Sequence, residues 1–334
     1  MMKRRTIMSV IGAVALTSAF YFPMSLQAET LHGDNGNPIK IVVPYPAGGP
    51  LDVSARALAE AIEPELGTVI VENRPGAGGG VGMSYVKRQK ANGHTMVIGA
   101  VATQAINPHI YTNLRYDALK DFTPVTLIAD VPNVLLVTKE FAQKHNIHSV
   151  ADLEAYAKAH PGELNVASGG NGSGGHMALE LFKNKAGLDM VHVPFAGAAA
   201  ARLSVLAGQT DLIFDNLASA QSNIDSGALV PLAVSTKTRA KALPNVPTMQ
   251  EAGVPDFDIS TWYGVFVPAG TPEGVVQELN TCLVNALNSD ALKARLSKLG
   301  GEVSPMSAKD FKAFVEREYV KYGDLVKVSG AKPI

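Results

Sequence analysis

Ile41-Val42-Val43-Pro44-Tyr45-Pro46-Ala47-Gly48-Gly49-Pro50-Leu51-Asp52 decides the fold: a short β-branched run stops at two prolines and two glycines, and a helical pattern begins. From 51 to 66, Leu51, Ala55, Leu58, Ala59, Ile62 and Leu66 recur at three- and four-residue spacing, as one buried helix face would. Pro50 suits the first turn. A Gly-Gly pair before a helix lets backbone N–H groups converge where no Cβ intrudes, and the helix dipole adds to them, so the loop suits an anion. An ordinary βα turn reads the same way, and repetition separates the two readings. Leu164-Asn165-Val166-Ala167-Ser168 leads into Gly169-Gly170-Asn171-Gly172-Ser173-Gly174-Gly175 and a helix at 176–182. Met190-Val191-His192-Val193-Pro194 leads through Phe195-Ala196-Gly197-Ala198 into a helix at 199–207. Three such loops could face one cleft.

Residues 1–28 have the pattern of a secretory signal peptide, with Lys3-Arg4-Arg5 as the charged start, an apolar run at 7–22 and Ala28 as the expected last residue removed. The run is short for a membrane span, and no later segment is long and apolar enough to be one. A soluble, exported protein is expected. Among 334 residues Cys282 is the only cysteine, set in an apolar helical pattern where a buried small hydrophobe is the natural reading. The formal net charge is −1 and becomes more negative without Lys3, Arg4 and Arg5. That balance gives no general attraction for nucleic acid or acidic membranes.

Strands at 68–71 and 94–100 continue a strand–helix alternation that predicts a parallel, doubly wound sheet. Near Phe122 the rhythm changes: strands at 123–128 and 133–137 follow with no helix between them, as at a crossing into a second lobe. The chain is therefore divided into 29–130 (lobe 1, first part), 131–235 (lobe 2) and 236–334 (lobe 1, second part). The fold class is α/β, with two lobes, each a doubly wound sheet with flanking helices.

The 170–175 loop fits G-x-G-x-x-G between a strand and a helix, so a dinucleotide site is the rival. Such a site wants an acidic residue after the next strand, where this chain has Pro194, Phe195 and Ala196. The loop is kept as a backbone anion site, and no cofactor is expected. Ser168 and Ser173 lack the G-x-S-x-G frame of a nucleophile elbow. The eight histidines show no metal-ligand spacing, and no metal is expected. His176 opens a helix beside the glycine loop and is read either as a ligand contact or as a first-turn residue bonded to its own loop. Asp52, with Arg56 four residues on, suits holding its loop. Asp215 ends a strand at 211–215 and would repel a carboxylate unless the ligand offers a donor or a water intervenes.

Taken together, Pro44-Tyr45-Pro46-Ala47-Gly48-Gly49-Pro50-Leu51-Asp52, Glu72-Asn73-Arg74-Pro75-Gly76-Ala77-Gly78-Gly79, Val193-Pro194-Phe195-Ala196-Gly197, Leu243-Pro244-Asn245-Val246-Pro247-Thr248 and Trp262-Tyr263-Gly264 resemble the Bug, or TctC-like, family. The likeness covers essentially the whole chain after the leader. It implies a two-lobed periplasmic solute-binding protein of type II-like arrangement with a hinge of crossover strands, not an enzyme, that captures small carboxylates for the membrane components of a tripartite tricarboxylate transporter. It also implies binding largely through loop backbone and water. The family's first loop commonly reads Gly-Gly-Pro-Thr-Asp, where this chain has Leu51, and a later loop commonly carries Tyr-Lys-Gly, where it has Phe195-Ala196-Gly197. The missing hydroxyl and cation point to an acid with an aromatic or otherwise apolar body. The expected site comprises Tyr45, Ala47, Gly48, Gly49, Leu51, Asp52, Ser168, Gly169, Gly170, Asn171, Gly172, Ser173, His176, Phe195, Ala196, Gly197, Ala198, Ala199 and Asp215. N–H groups at Gly48, Gly49, 170–173 and 198–199 are expected to clamp the carboxylate, with Phe195, Leu51 and Tyr45 packing its body. The protein is expected to act as a monomer, with presentation of its closed form to a membrane sensor kinase as the alternative role.

Overall fold

The computed structural model describes residues 31–34, 36–195, 197–298 and 301–328. The leader expected at 1–28 and Ala196 therefore lie outside the described residues. The first half begins β1 (Ile39–Val43), α1 (Pro50–Leu66), β2 (Val69–Asn73), α2 (Gly80–Val86) and β3 (Thr95–Ala100), then a π turn (Ala102–Ile106) and α3 (Asn107–Ile110). β4 (Phe122–Thr138) follows, then α4 (Lys139–His145), α5 (Val150–Ala159), β5 (Asn165–Ser168), α6 (Gly174–Ala186) and β6 (Val191–Pro194). The chain continues through α7 (Ala198–Leu206), β7 (Leu212–Asn216), α8 (Leu217–Asp225) and β8 (Leu229–Val234). It closes with β9 (Ser260–Pro268), α9 (Glu273–Asn288), α10 (Asp290–Ser297), β10 (Glu302–Val303) and α11 (Ala308–Val328).

The strands order as β2-β1-β3-β9-β4-β7-β5-β6, with β8 and β10 also on β4. The two runs expected at 123–128 and 133–137 are one strand of 17 residues that serves two half-sheets. From Phe122 to Pro132 it pairs with β9, and from Asn133 to Val137 with β7. The exchange falls at Pro132, which has no N–H to continue a ladder. The all-parallel expectation needs correction. β1 with β2 and β3, and β5 with β6 and β7, are parallel, whereas β9 runs antiparallel to β3 and β4, and β4 antiparallel to β7 and β8. A strand that passes straight between half-sheets cannot keep the direction that helical crossovers impose on the others.

Alternation along the strands fills both faces. On β1, Ile41 and Val43 face the cluster that includes Leu58, Ile62, Leu279 and Leu283, while Val42 joins Val97 and Met83 on the other side. On β4, Val134 and Leu136 pack with Val205 and Ile213, while Leu135 and Val137 pack with Val166 and Phe214. α11 latches the middle: a Cβ at Gly264 would sit 2.6 Å from the Thr126 carbonyl and against the Phe311 ring, so glycine is what admits Phe311 onto β9. Trp262 and Tyr263 are core residues, with Trp262 Nε1–H donating to Glu318 at 2.9 Å. Cys282 is buried, and burial pushes its thiol up to about 12. Among the described residues no helix is long and apolar enough to cross a membrane.

One carboxylate is poorly accommodated where β4 changes partners. Asp130 Oδ1 is buried with no hydrogen-bond partner among the described residues. Burial pushes this carboxyl up to about 6, with Asp258 and Glu318 adding repulsion and Ser260 and Lys321 opposing it. Because the folded value is raised, the folded state holds a proton between pH 3.8 and about 6 that the unfolded state has lost, so stability falls as pH rises through that window. Asp130→Asn is expected to raise the melting temperature at pH 7.5 and to leave it little changed at pH 4. Equal melting temperatures at pH 7.5 would show that the carboxylate carries no penalty.

Candidate functional site

The expected loops all lie at the C-terminal ends of parallel strands, where open α/β sheets place ligand crevices. The first, after β1, is tied down by its own side chains. Gly48 sits at φ +82° and its N–H donates to Asp52 Oδ2 at 2.8 Å. Asp52 also accepts from Arg56 Nε at 3.1 Å and from Asn73 Nδ2 at 2.9 Å, and Asn73 Nδ2 reaches the Tyr45 carbonyl at 3.1 Å. Burial opposes the charge on Asp52, but the bonds from Arg56, Gly48 and Asn73 prevail and hold its carboxyl below the usual range. Asp52 therefore braces the loop. Ala47 and Pro46 are exposed, while Tyr45 and Leu51 are half-buried on the α1 side.

The second loop is bonded just as closely. Ser173 caps α6, its Oγ accepting from His176 N–H at 3.2 Å. Gly170 N–H donates to Ser168 Oγ at 3.2 Å, Ser173 N–H to the Gly170 carbonyl at 3.1 Å, and Gly172 N–H to His176 Nδ1 at 3.1 Å. A ring nitrogen that accepts carries no proton, so His176 is neutral, and burial beside His192 pushes it down to about 3. The His176 ring stacks on His192 at 3.9 Å, and His192 Nε2 meets Ser168 Oγ at 2.6 Å, with burial taking His192 down to about 4. His176 is thus a strut inside its own loop, and Ser168, fully buried, is another.

The clamp expected from these N–H groups needs correction. Those of Gly48, Gly170, Gly172 and Ser173 are engaged within the chain, because short polar side chains beside a glycine loop compete with any ligand for its donors. The N–H groups of Gly49, Asn171, Ala198 and Ala199 have no acceptor among the described residues. Ala198 and Ala199 open α7 behind Gly197 at φ +108°, with Phe195 N–H held by the Ser168 carbonyl at 2.9 Å. A Cβ on Gly169 would come 3.0 Å from Ala198 N, so the second and third loops meet at the start of α7. A Cβ on Gly172, at φ +75°, would come 2.8 Å from Ile110 Cδ1, so the second loop also touches α3 of the first half.

Two contributors escaped the sequence reading. Arg202 Nη1 bonds Asp215 Oδ2 at 2.6 Å, and Asp215 Oδ1 accepts from Asn216 N–H at 2.8 Å. Burial raises the Asp215 carboxyl and Arg202 opposes it, so the expected repulsion toward an anion is met by a cation in the same chain. The signal was there: Arg202 is the one Lys or Arg between 190 and 215. Asn133, opposite Asn216 in the ladder, is buried with its Nδ2 unpartnered among the described residues. A Cβ on Gly174 would lie 3.4 Å from that nitrogen and 3.0 Å from Thr261 Oγ1, which sets the amide at the start of α6. It is the one polar side chain in the apolar run 131–137. Among the described residues no group of three or more His, Cys, Asp or Glu could hold a metal ion.

The sequence profile described as "Tripartite tricarboxylate transporter family receptor" matches residues 54–331. The chain belongs to that receptor family. Rpa4515 of R. palustris, solved with adipate, is similar at TM-score 0.76 and 36% identity, covering 89% of this chain and 98% of its own. MatC of Rhodopseudomonas palustris, solved with bound malate, gives 0.72 and 31%, covering 86% and 98%. Protein BugT of Bordetella pertussis is 32% identical over 333 residues, 99% of each chain. The receptor family accounts for the architecture: the fold is the two-lobed α/β fold of periplasmic binding proteins.

Proposed function

We propose that this receptor captures a small organic carboxylate in the cleft between lobes 29–130 with 236–334 and 131–235, in the periplasm, and delivers it to the membrane components of a tripartite transporter. One observation carries the reading. At the seam, the unclaimed N–H groups of Ala198 and Ala199 stand at a helix N-terminus, where the dipole favours an anion, on the helix that also carries Arg202 to cover Asp215. The carboxylate accepts from Ala198 and Ala199, and the Asn133 amide donates to it or to a bridging water. Gly48 and the 170–173 loop shape the walls rather than supply the donors. Adipate in one relative and malate in another support a carboxylate as the ligand class. Chemistry on the ligand is disfavoured, since Ser168 and His192 are locked as loop struts.

Calorimetric titration of the mature protein with a panel of dicarboxylates led by adipate tests this. The parent protein should bind and its radius of gyration should fall as the lobes close. Gly172→Val, strained at positive φ and crowding Ile110, should stay folded and lose at least about tenfold in affinity, the equivalent of ~1.4 kcal/mol. Normal binding by that variant would remove the site from this seam. Presentation to a membrane sensor remains the second role, and co-purification of the ligand-closed form with a sensor domain instead of a transporter subunit would favour it.

A further inference from the structure

A cavity of about 490 Å³ has none of the expected cleft residues in its lining, and every residue lining it comes from α2 with its flanks, 77–88, or from 111–115. No residue of the second half reaches it. Its size is that of a small-molecule site. The charge of its lining is one-sided: Arg88 and Arg115 both face it, and no carboxylate does. Elsewhere in the chain Arg56, Arg202, Arg239 and Arg295 each hold a carboxylate, but the guanidinium of neither Arg88 nor Arg115 has an ion-pair or hydrogen-bond partner among the described residues. Between them the wall is apolar, made by Val81, which is 49% exposed, together with Leu114 and Tyr111. Ser84, nearly buried, adds a hydroxyl to the lining, and the exposed Asn113 an amide.

We propose that this cavity is a second anion site of the protein, for a carboxylate or phosphate monoester carrying an aromatic or short aliphatic body. The guanidiniums offer forked donors that match a planar carboxylate or a phosphate. The body of the ligand covers Val81, Leu114 and the Tyr111 ring, which water now wets. A free inorganic ion would use only half of this surface, and a neutral aromatic only the other half.

Titration of the mature full-length protein with benzoate, phenyl phosphate, inorganic phosphate and benzyl alcohol, followed by calorimetry and by backbone amide shifts, tests the proposal. Benzoate or phenyl phosphate should move the amides of 77–88 and 111–115, and the preference between the two identifies the head group. The double variant Arg88→Ala, Arg115→Ala should weaken the tighter probe at least about tenfold and leave cleft binding of adipate unchanged. Gly172→Val, altered in the cleft, should keep the lateral site, so loss of one site and loss of the other are read separately. The proposal is overturned if neither organic anion shifts these amides, if the double variant binds them as the parent does, or if inorganic phosphate or benzyl alcohol binds as tightly as the better organic anion.

Discussion

Arg202→Met is expected to destabilise the protein by about 3–5 kcal/mol, the usual cost of stripping the partner from a buried charge. The side chain of Asp215 is 1% exposed and that of Arg202 17%, so solvent does little to screen the pair. With the arginine gone, burial is left as the main influence on Asp215 and pushes its carboxyl further up. The sign of the pH effect follows. A raised folded value means that the folded state binds a proton the unfolded state releases, so the variant's stability falls as pH rises through the carboxylate range and beyond. The deficit should be large at pH 8 and smaller at pH 4.5. Adding Asp215→Asn to Arg202→Met removes the charge and should recover most of the loss, while leaving carboxylate binding weak. Urea unfolding of the parent, both single variants and the double at the two pH values gives the coupling directly. Identical midpoints for parent and Arg202→Met would mean the pair contributes nothing, and Asp215 would return to being an obstacle to an anion.

The fold could be read from the sequence where pattern and punctuation coincided. Ile41-Val42-Val43 before Pro44 and Gly48-Gly49 before Pro50 gave β1 and α1 because β-branched residues, prolines and glycines each restrict the backbone locally. The direction of β9 was not legible, since strand polarity is decided by partners far along the chain. Within the site, glycine loops announced themselves, but which N–H groups stay free did not. That depends on Asp52, Ser168 and His176 folding back over two to four residues, a competition periodicity does not reveal. Arg202 and Asn133 were missed because a lone cation in a helix and a lone amide in a strand look ordinary until their neighbours are known.

Ligand choice gives the other large effect, and it turns on what surrounds the free donors. Leu51 is half-buried at the start of α1, and Phe195 lies partly buried against the cluster of Ala201 and Val205, so each half offers an apolar surface near its loop. The polar supply is small: two N–H groups at the start of α7, one each at Gly49 and Asn171, and the Asn133 amide, with Arg202 already committed to Asp215. A citrate-like acid would bring three carboxylates and a hydroxyl to that supply, and each polar group left unpaired costs on the order of 1–3 kcal/mol. A ligand with an aliphatic or aromatic body instead gains about 25 cal/mol for each Å² of apolar surface it buries, while one carboxylate still meets Ala198 and Ala199. Adipate, the ligand of the Rpa4515 structure, has such a body. At about 100 times the dissociation constant, binding adds roughly 2.7 kcal/mol of stability, which a melting curve resolves. With citrate, succinate, adipate, benzoate and the phthalate isomers run side by side on the mature protein, adipate or an aromatic acid should give the largest shift and citrate none. Stabilisation by citrate alone would overturn the assignment of Leu51 and Phe195 to the ligand's body.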